Sequence, residues 1–375
     1  MKTDYSFNRR QLLAACTVFF LAPALRLVPT VSASAAGRAA WVSVPAALPV
    51  LFLYIWFLHT FLMRRQNNEG FAELILRALG MRAGKTALVL LSLWFLLYGG
   101  LTLLSGAERI MTTMYPSSGP KVFVLTMGVL CLIAALSSAR SIIRTANLLL
   151  PTVLGVLLLV LIFALFSVRP ENLLPVTAAD AAGILKGSAA TVDVVVMPVY
   201  TACFLSNMKP DTSTRLRDPL MWVLGVVLLL FWLITDIVGC FGAELAARLT
   251  HPFFTLVKNL VFFRNLERVE ALLVSLWVFS DFIVISLCIF VAQYCLRLAM
   301  GKSADYAGEK AMDMRSGRWV IWLCAAAAVV TALEIPSDPL SLDTWSKMIV
   351  PCANLAVAFI VLPLIFIIGK IRKTL

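Results

Sequence analysis

The sequence predicts an all-α integral membrane protein with about ten transmembrane helices. Hydrophobic residues make up 61% of the 375 residues, and charged residues only 14%. Mean hydropathy is +0.92. The apolar residues also fall into runs near the ~20 residues needed to cross a ~30 Å hydrocarbon core. A soluble domain is nearer one-quarter charged and cannot bury so much apolar surface.

The runs place spans near 10–30, 39–63, 86–112, 120–137, 146–168, 184–206, 219–242, 269–299, 318–335 and 347–369. The loops between them are short, and no linker divides the chain, so one transmembrane domain over 1–375 is expected. The stretch 250–263 is apolar but too short to cross, which predicts an interfacial or re-entrant helix.

Lysine and arginine set the predicted orientation, because they gather on the cytoplasmic side. Lys2, Arg9 and Arg10 precede span one, and Arg64, Arg65, Arg77, Arg82 and Lys85 follow span two. Arg140 and Arg144, then Lys209, Arg215 and Arg217, lie in later loops on that side. Arg297, Lys302, Lys310, Arg315 and Arg318 come next, and Lys370, Arg372 and Lys373 close the chain. Both termini are therefore expected in the cytoplasm. Topology accounts for the net charge of +12, with no nucleic-acid partner.

Several motifs are decoys. Arg9-Arg10, Leu13-Ala14-Ala15-Cys16 and Ala33-Ser34-Ala35 resemble export or processing signals. Arg26 interrupts the apolar core a cleaved signal needs, so an uncleaved first span is expected. Gly80 to Thr86 looks like a phosphate loop, but has three residues between its glycines where four are required. It reads as a turn into span three. All eight cysteines fall within apolar runs without a C-x-x-C pair, and the two histidines are distant. No cofactor or metal is expected. No nucleophile–base set appears, so the chain does not read as an enzyme.

The chemistry lies within the spans. An ionisable side chain there is costly unless it faces protein or water. Asp193 and Asp281 lie deep in spans six and eight, with Asp236 in span seven. Arg26, Glu108, Arg109 and Glu334 have duller readings, Arg26 by snorkelling outward and the others by nearness to span ends. Pro23 and Pro29 fall in span one and Pro198 in span six. Prolines remove backbone donors, which predicts interrupted helices at positions five spans apart. Five is odd, so the second group of five is inverted relative to the first. Interrupted helices at matching positions of inverted halves point to a midplane binding site.

Ordered segments carry a family resemblance. They are Val28-Pro29 with Gly37-Arg38-Ala39-Ala40-Trp41, then Phe71-Ala72-Glu73-Leu74 with Leu79-Gly80 and Gly84-Lys85. Ala139-Arg140-Ser141-Ile142-Ile143-Arg144 and Glu171-Asn172-Leu173-Leu174-Pro175 follow. Leu266-Glu267-Arg268-Val269-Glu270 with Trp277, and the final Lys370-Ile371-Arg372-Lys373, complete the set. Together they resemble the endospore germination permease family, the B subunit of nutrient germinant receptors.

That resemblance implies a LeuT-like architecture within the amino acid–polyamine–organocation superfamily. It has two inverted five-helix repeats, here about 10–168 and 184–369, with helices one and six interrupted. It implies sensing of a small nutrient, such as an amino acid, in the spore inner membrane. It also implies two partners, an A-type membrane subunit and a C-type lipoprotein subunit. The chain departs from the family pattern where Leu21-Ala22-Pro23 and Val192-Asp193 replace glycine-containing segments.

The candidate ligand-binding residues are Ala22, Pro23, Tyr98, Thr191, Asp193, Pro198, Trp277 and Asp281. On this reading spans one and six hold a zwitterion, and spans three and eight wall it. Half-helix N-termini take its carboxylate and Asp193 or Asp281 its ammonium, with Tyr98 and Trp277 as aromatic walls. A stand-alone proton-coupled amino acid transporter is the alternative, and a membrane scaffold a third class.

Overall fold

Apolar helices dominate because every backbone polar group in lipid must be satisfied within its own segment. A computed structural model of the chain describes residues 9–66, 69–113, 119–205, 216–260, 269–301, 318–335 and 339–374. Lys2, Lys209, Arg215, Leu266 to Arg268, Lys302, Lys310 and Arg315 lie outside the described residues, as does the end of the 250–263 stretch.

Among the described residues, seven segments are long and apolar enough to cross a membrane. One of them, Arg10–Leu62, folds back on itself as spans one and two. Span one is Arg9–Ala36. Gly37 turns the chain at φ +55°. Span two follows as Ala40–Ala46 and Leu48–Leu62. Leu12 and Cys16 at the start of the first line one pocket with Leu58 and Leu62 at the end of the second. The remaining spans are Met81–Thr113, Pro120–Leu136, Ala139–Leu165, Ala181–Leu205, Arg217–Phe241, Val269–Ala299 and Arg318–Glu334. Span ten runs from Pro339 to Ile371 and contains two π-helical stretches, Trp345–Ile349 and Val357–Val361. The bundle thus has ten spans, as the hydropathy predicts. Its outer face is apolar, with Leu148 76% exposed, as lipid contact requires.

Four pairs of spans five apart in sequence pack on each other. Span one lies along six, two along seven, three along eight and four along nine. Counterpart pairing of this kind is what two inverted five-helix halves produce. Lipid is as apolar as leucine, so helices associate through close packing and interhelical hydrogen bonds. Gly183 and Gly187 on span six supply the first. A Cβ at Gly183 would stand 2.5 Å from the Ala35 carbonyl oxygen, and one at Gly187 would stand 3.1 Å from Ser43 Cβ. Ser92 Oγ supplies the second, donating to the Ala292 carbonyl at 3.0 Å between spans three and eight.

Spans one and six are not interrupted. Both are continuous helix through Pro23, Pro29 and Pro198. The reason lies in the residues that precede Pro23 and Pro198. Leu21, Ala22 and Val192 stand where glycine would let the backbone unwind, and leucine and alanine favour helix. A proline leaves only one carbonyl without its donor, and neighbouring spans lend side chains nearby. Ser280 Oγ donates to the Val18 carbonyl at 2.5 Å, one residue before the carbonyl Pro23 frees.

The loops are tied down by the segments that carry the family resemblance. Glu73 accepts from the Gly70 N–H at 2.9 Å, capping the amphipathic helix Phe71–Leu79. Arg77 on that helix pairs with Glu69 at 2.9 Å and donates to the carbonyls of Arg64 and Thr374. The loop after span two and the C-terminus therefore share one face of the bundle. Gly80 closes the Phe71–Leu79 helix at φ +82°, so the phosphate-loop look-alike is a helix end. Arg38 and Trp41 donate to the Leu174 and Leu173 carbonyls. Asn172 Nδ2 donates to the Gly239 carbonyl at 2.8 Å. The short stretch after span seven forms a helical hairpin, Ala243–Arg248 and Pro252–Asn259, packed onto spans one and seven.

Gly183→Ala is expected to cost about 1–3 kcal/mol by forcing spans one and six apart. Gly155→Ala, where a Cβ meets nothing within 4 Å, is expected to change stability by less than about 0.5 kcal/mol. Unfolding of the two variants in the same detergent checks the pair.

Candidate ligand-binding site

A cavity of about 40 Å³ sits in the membrane core between spans one, three, six, eight and ten. Ala22, Pro23 and Arg26 line it from span one. Tyr98, Ser105 and Arg109 come from span three, Asp193 from six, Asp281 from eight, and Ser346 and Val350 from ten. The volume suits roughly three waters, so a larger ligand requires side chains or helices to move.

Two charged arrangements organise it. In the first, Arg109 Nη1 donates to Asp281 Oδ2 at 2.8 Å, with both side chains 3% exposed or less. The Arg109 guanidinium also lies 4.1 Å from the ring centre of Trp277. Gly106 makes room for the pair, since a Cβ there would stand 3.0 Å from Asp281 Oδ2. Asp281 Oδ1 has no hydrogen-bond partner among the described residues.

In the second, four groups form a directed chain. Trp94 Nε1 donates to the Tyr200 hydroxyl at 3.0 Å, and Tyr200 donates to Asn354 Oδ1 at 2.9 Å. Asn354 Nδ2 donates to Asp193 Oδ1 at 2.7 Å. The chain fixes the Asp193 carboxylate and ties spans three, six and ten together.

Five of the eight candidate residues, Ala22, Pro23, Tyr98, Asp193 and Asp281, meet at this cavity. Three do not line it. Trp277 packs outside it, between Arg109 and Phe253, and Pro198 lies toward Cys16, whose thiol donates to its carbonyl. Thr191 is fully buried, and its hydroxyl has no partner among the described residues. With both proline helices continuous, no half-helix N-terminus faces the cavity.

Sequence reasoning placed Arg26 and Arg109 wrongly. Arg26 lines the cavity where outward snorkelling was expected, and Arg109 is 2% exposed where water was expected. Ser105, Ser346 and Asn354 were missed. Serine and asparagine are common in spans, and only the π-helical stretch at Trp345–Ile349 marks the region of span ten. Asp236 is fully buried on span seven, away from the cavity.

The hairpin after span seven covers this region. Thr30 Oγ1 donates to the Leu249 carbonyl at 3.1 Å, and Phe253 meets Trp277 at 6.0 Å between ring centres. Burial beside Arg109 and Arg26 pushes the His251 imidazole down to about 3, so it is neutral at pH 7.

The spore germination protein family, the spore permeases, matches residues 7–305. The chain belongs to this family. Among curated protein sequences, none matches the permease. Two solved transporter structures match its fold. One is a nucleobase-cation-symport-1 family transporter in a closed conformation with bromovinylhydantoin bound. It has 12% identity and a TM-score of 0.56, over 96% of this chain and 77% of that one. The other is a Na+-coupled sialic acid symporter in a substrate-bound outward-open state. It has 14% identity and a TM-score of 0.58, over 96% and 78%. At such identities the likeness establishes the fold, the LeuT-like arrangement. The permease is thus a multi-pass membrane protein with a transporter-like architecture.

Removing one member of the Arg109–Asp281 pair strands the other charge. Arg109→Met and Asp281→Leu are each expected to cost about 3–5 kcal/mol, and the double variant to recover much of the loss. A double-mutant cycle of unfolding in detergent measures the coupling.

Proposed function

We propose that the permease is the membrane subunit of a nutrient germinant receptor, sensing a small amino acid in the core cavity. The observation that carries this is a set of polar groups without partners. Among the described residues, Ser105 Oγ and Asp281 Oδ1 are buried at the cavity and make no hydrogen bond. Buried polar atoms are otherwise almost always satisfied, so such a set is what a polar ligand would complete. The family match supports a role in germination, and the resemblance to B subunits supports the A-type and C-type partners.

On this reading both termini lie in the cytoplasm, and in the spore the surrounding bilayer is the inner membrane. The nutrient enters between spans one, three, six, eight and ten. Its ammonium meets Asp193, which Asn354 holds in place. Because the cavity is small, occupancy requires a different helix arrangement. A ligand that binds that arrangement better shifts the population toward it, and the A-type and C-type subunits read the shift.

A second reading has one observation in its favour, that two solved structures similar in fold are a nucleobase-cation-symport-1 family transporter and a sialic acid symporter. It is amino acid transport by the chain alone, coupled to protons. Uptake by purified protein in liposomes separates the two readings, since sensing predicts no pH-driven flux without partners. For the receptor, Asp193→Asn is expected to abolish germination triggered by amino acids. Germination would be assayed with both other subunits present and the membrane level confirmed by immunoblot. Germination at the unmodified rate would sink the assignment.

A further inference from the structure

A guanidinium inside a membrane is costly unless protein or water pairs it. Arg109 meets that need with Asp281 and Trp277. Arg26 does not. It lies one helical turn beyond Ala22 on span one and lines the cavity, yet its guanidinium makes no hydrogen bond or ion pair among the described residues. Its charged neighbours are Arg109, Asp281, Asp343 and Glu108. Asp281 and Asp343 are already committed, to Arg109 and Lys347, each at 2.8 Å, and among the described residues no ion pair joins Glu108 to Arg26.

Among the described residues no carboxylate therefore pairs with the Arg26 guanidinium. Asp193 is the remaining acid of the cavity, and it accepts an amide N–H from Asn354 on span ten. One further polar atom at the cavity points the same way. Ser105 Oγ is buried without a partner and offers a donor to an anion. The continuous helices offer no backbone donors that a carboxylate could use instead.

We propose that Arg26 is the anchor for a ligand carboxylate. The inference rests on the core cavity being the nutrient site, and it assigns the side chain that holds the ligand's carboxylate. The ligand is a small amino acid whose carboxylate pairs with Arg26 on span one and whose ammonium faces Asp193 on span six. Arginine suits this task because its planar fork meets both carboxylate oxygens at once. A bound zwitterion would pair both charges and join the two spans that pack as counterparts, so the anchor is also the lever that moves them.

The test is the thermal midpoint of the purified full chain with the common L-amino acids, their amides and their decarboxylated amines. At least one amino acid is expected to raise the midpoint, with its amide and its amine at least ten-fold weaker. Arg26→Gln is expected to lose the shift and Arg26→Lys to keep a weakened one. Without ligand, Arg26→Gln is expected to be no less stable than the unmodified chain, since an unpaired charge is removed. A structural arginine would lower that midpoint instead. An amide as strong as its acid, or a full shift in Arg26→Gln, overturns the anchor and leaves the nutrient site standing. No shift with any amino acid on the unmodified chain overturns the site and the anchor together.

Discussion

The ion pair between Arg109 and Asp281 is the constraint on which the membrane core depends. A charge taken from water into low dielectric pays a desolvation penalty of several kcal/mol, and attraction offsets it only with good geometry and further contacts. Span three supplies the cation and span eight the anion, and these two spans pack along much of their length. Gly106 lets the carboxylate approach, and Trp277 covers the guanidinium. The pair uses one carboxylate oxygen and leaves the other without a partner among the described residues, on a side chain that lines the cavity. Packed leucines would make a simpler joint, so the pair is better understood as part of a site than as a rivet.

The rest of the core is arranged around that joint. Asp193 is held from span ten by Asn354, and Tyr200 and Trp94 hold Asn354 in turn. The helical hairpin after span seven reaches the pair through Phe253 and Trp277. Movement at the cavity is therefore felt by spans three, six, eight and ten and by the hairpin. These are discrete packed elements, of the kind that carry coupling between two arrangements. A receptor subunit needs such a linkage to tell its partners that a nutrient has arrived.

Much of the fold was legible in the sequence, because lipid imposes a length and a polarity on each span. Hydropathy marked ten spans, and the odd spacing of the proline helices suggested inversion. The prolines misled about continuity, since a proline unwinds a membrane helix only where its neighbours permit it, and Leu21 and Ala22 beside Pro23 do not. The site was legible where it is acidic. Asp193 and Asp281 stood out as buried charges. Arg26 was misplaced because composition does not say which face of a helix looks inward. Asn354 was missed because its importance comes from Tyr200 and Asp193, more than 150 residues away along the chain.

Ligand protection at Ser105 tests most directly whether this cavity is where a nutrient binds. Cys352 is the exposed cysteine among those described, so the test chain carries Cys352→Ala with Ser105→Cys. A small charged thiosulfonate reagent should modify the new thiol, and a mixture of L-amino acids should slow that reaction at least several-fold. Modification at the same rate with and without the amino acids would contradict the account.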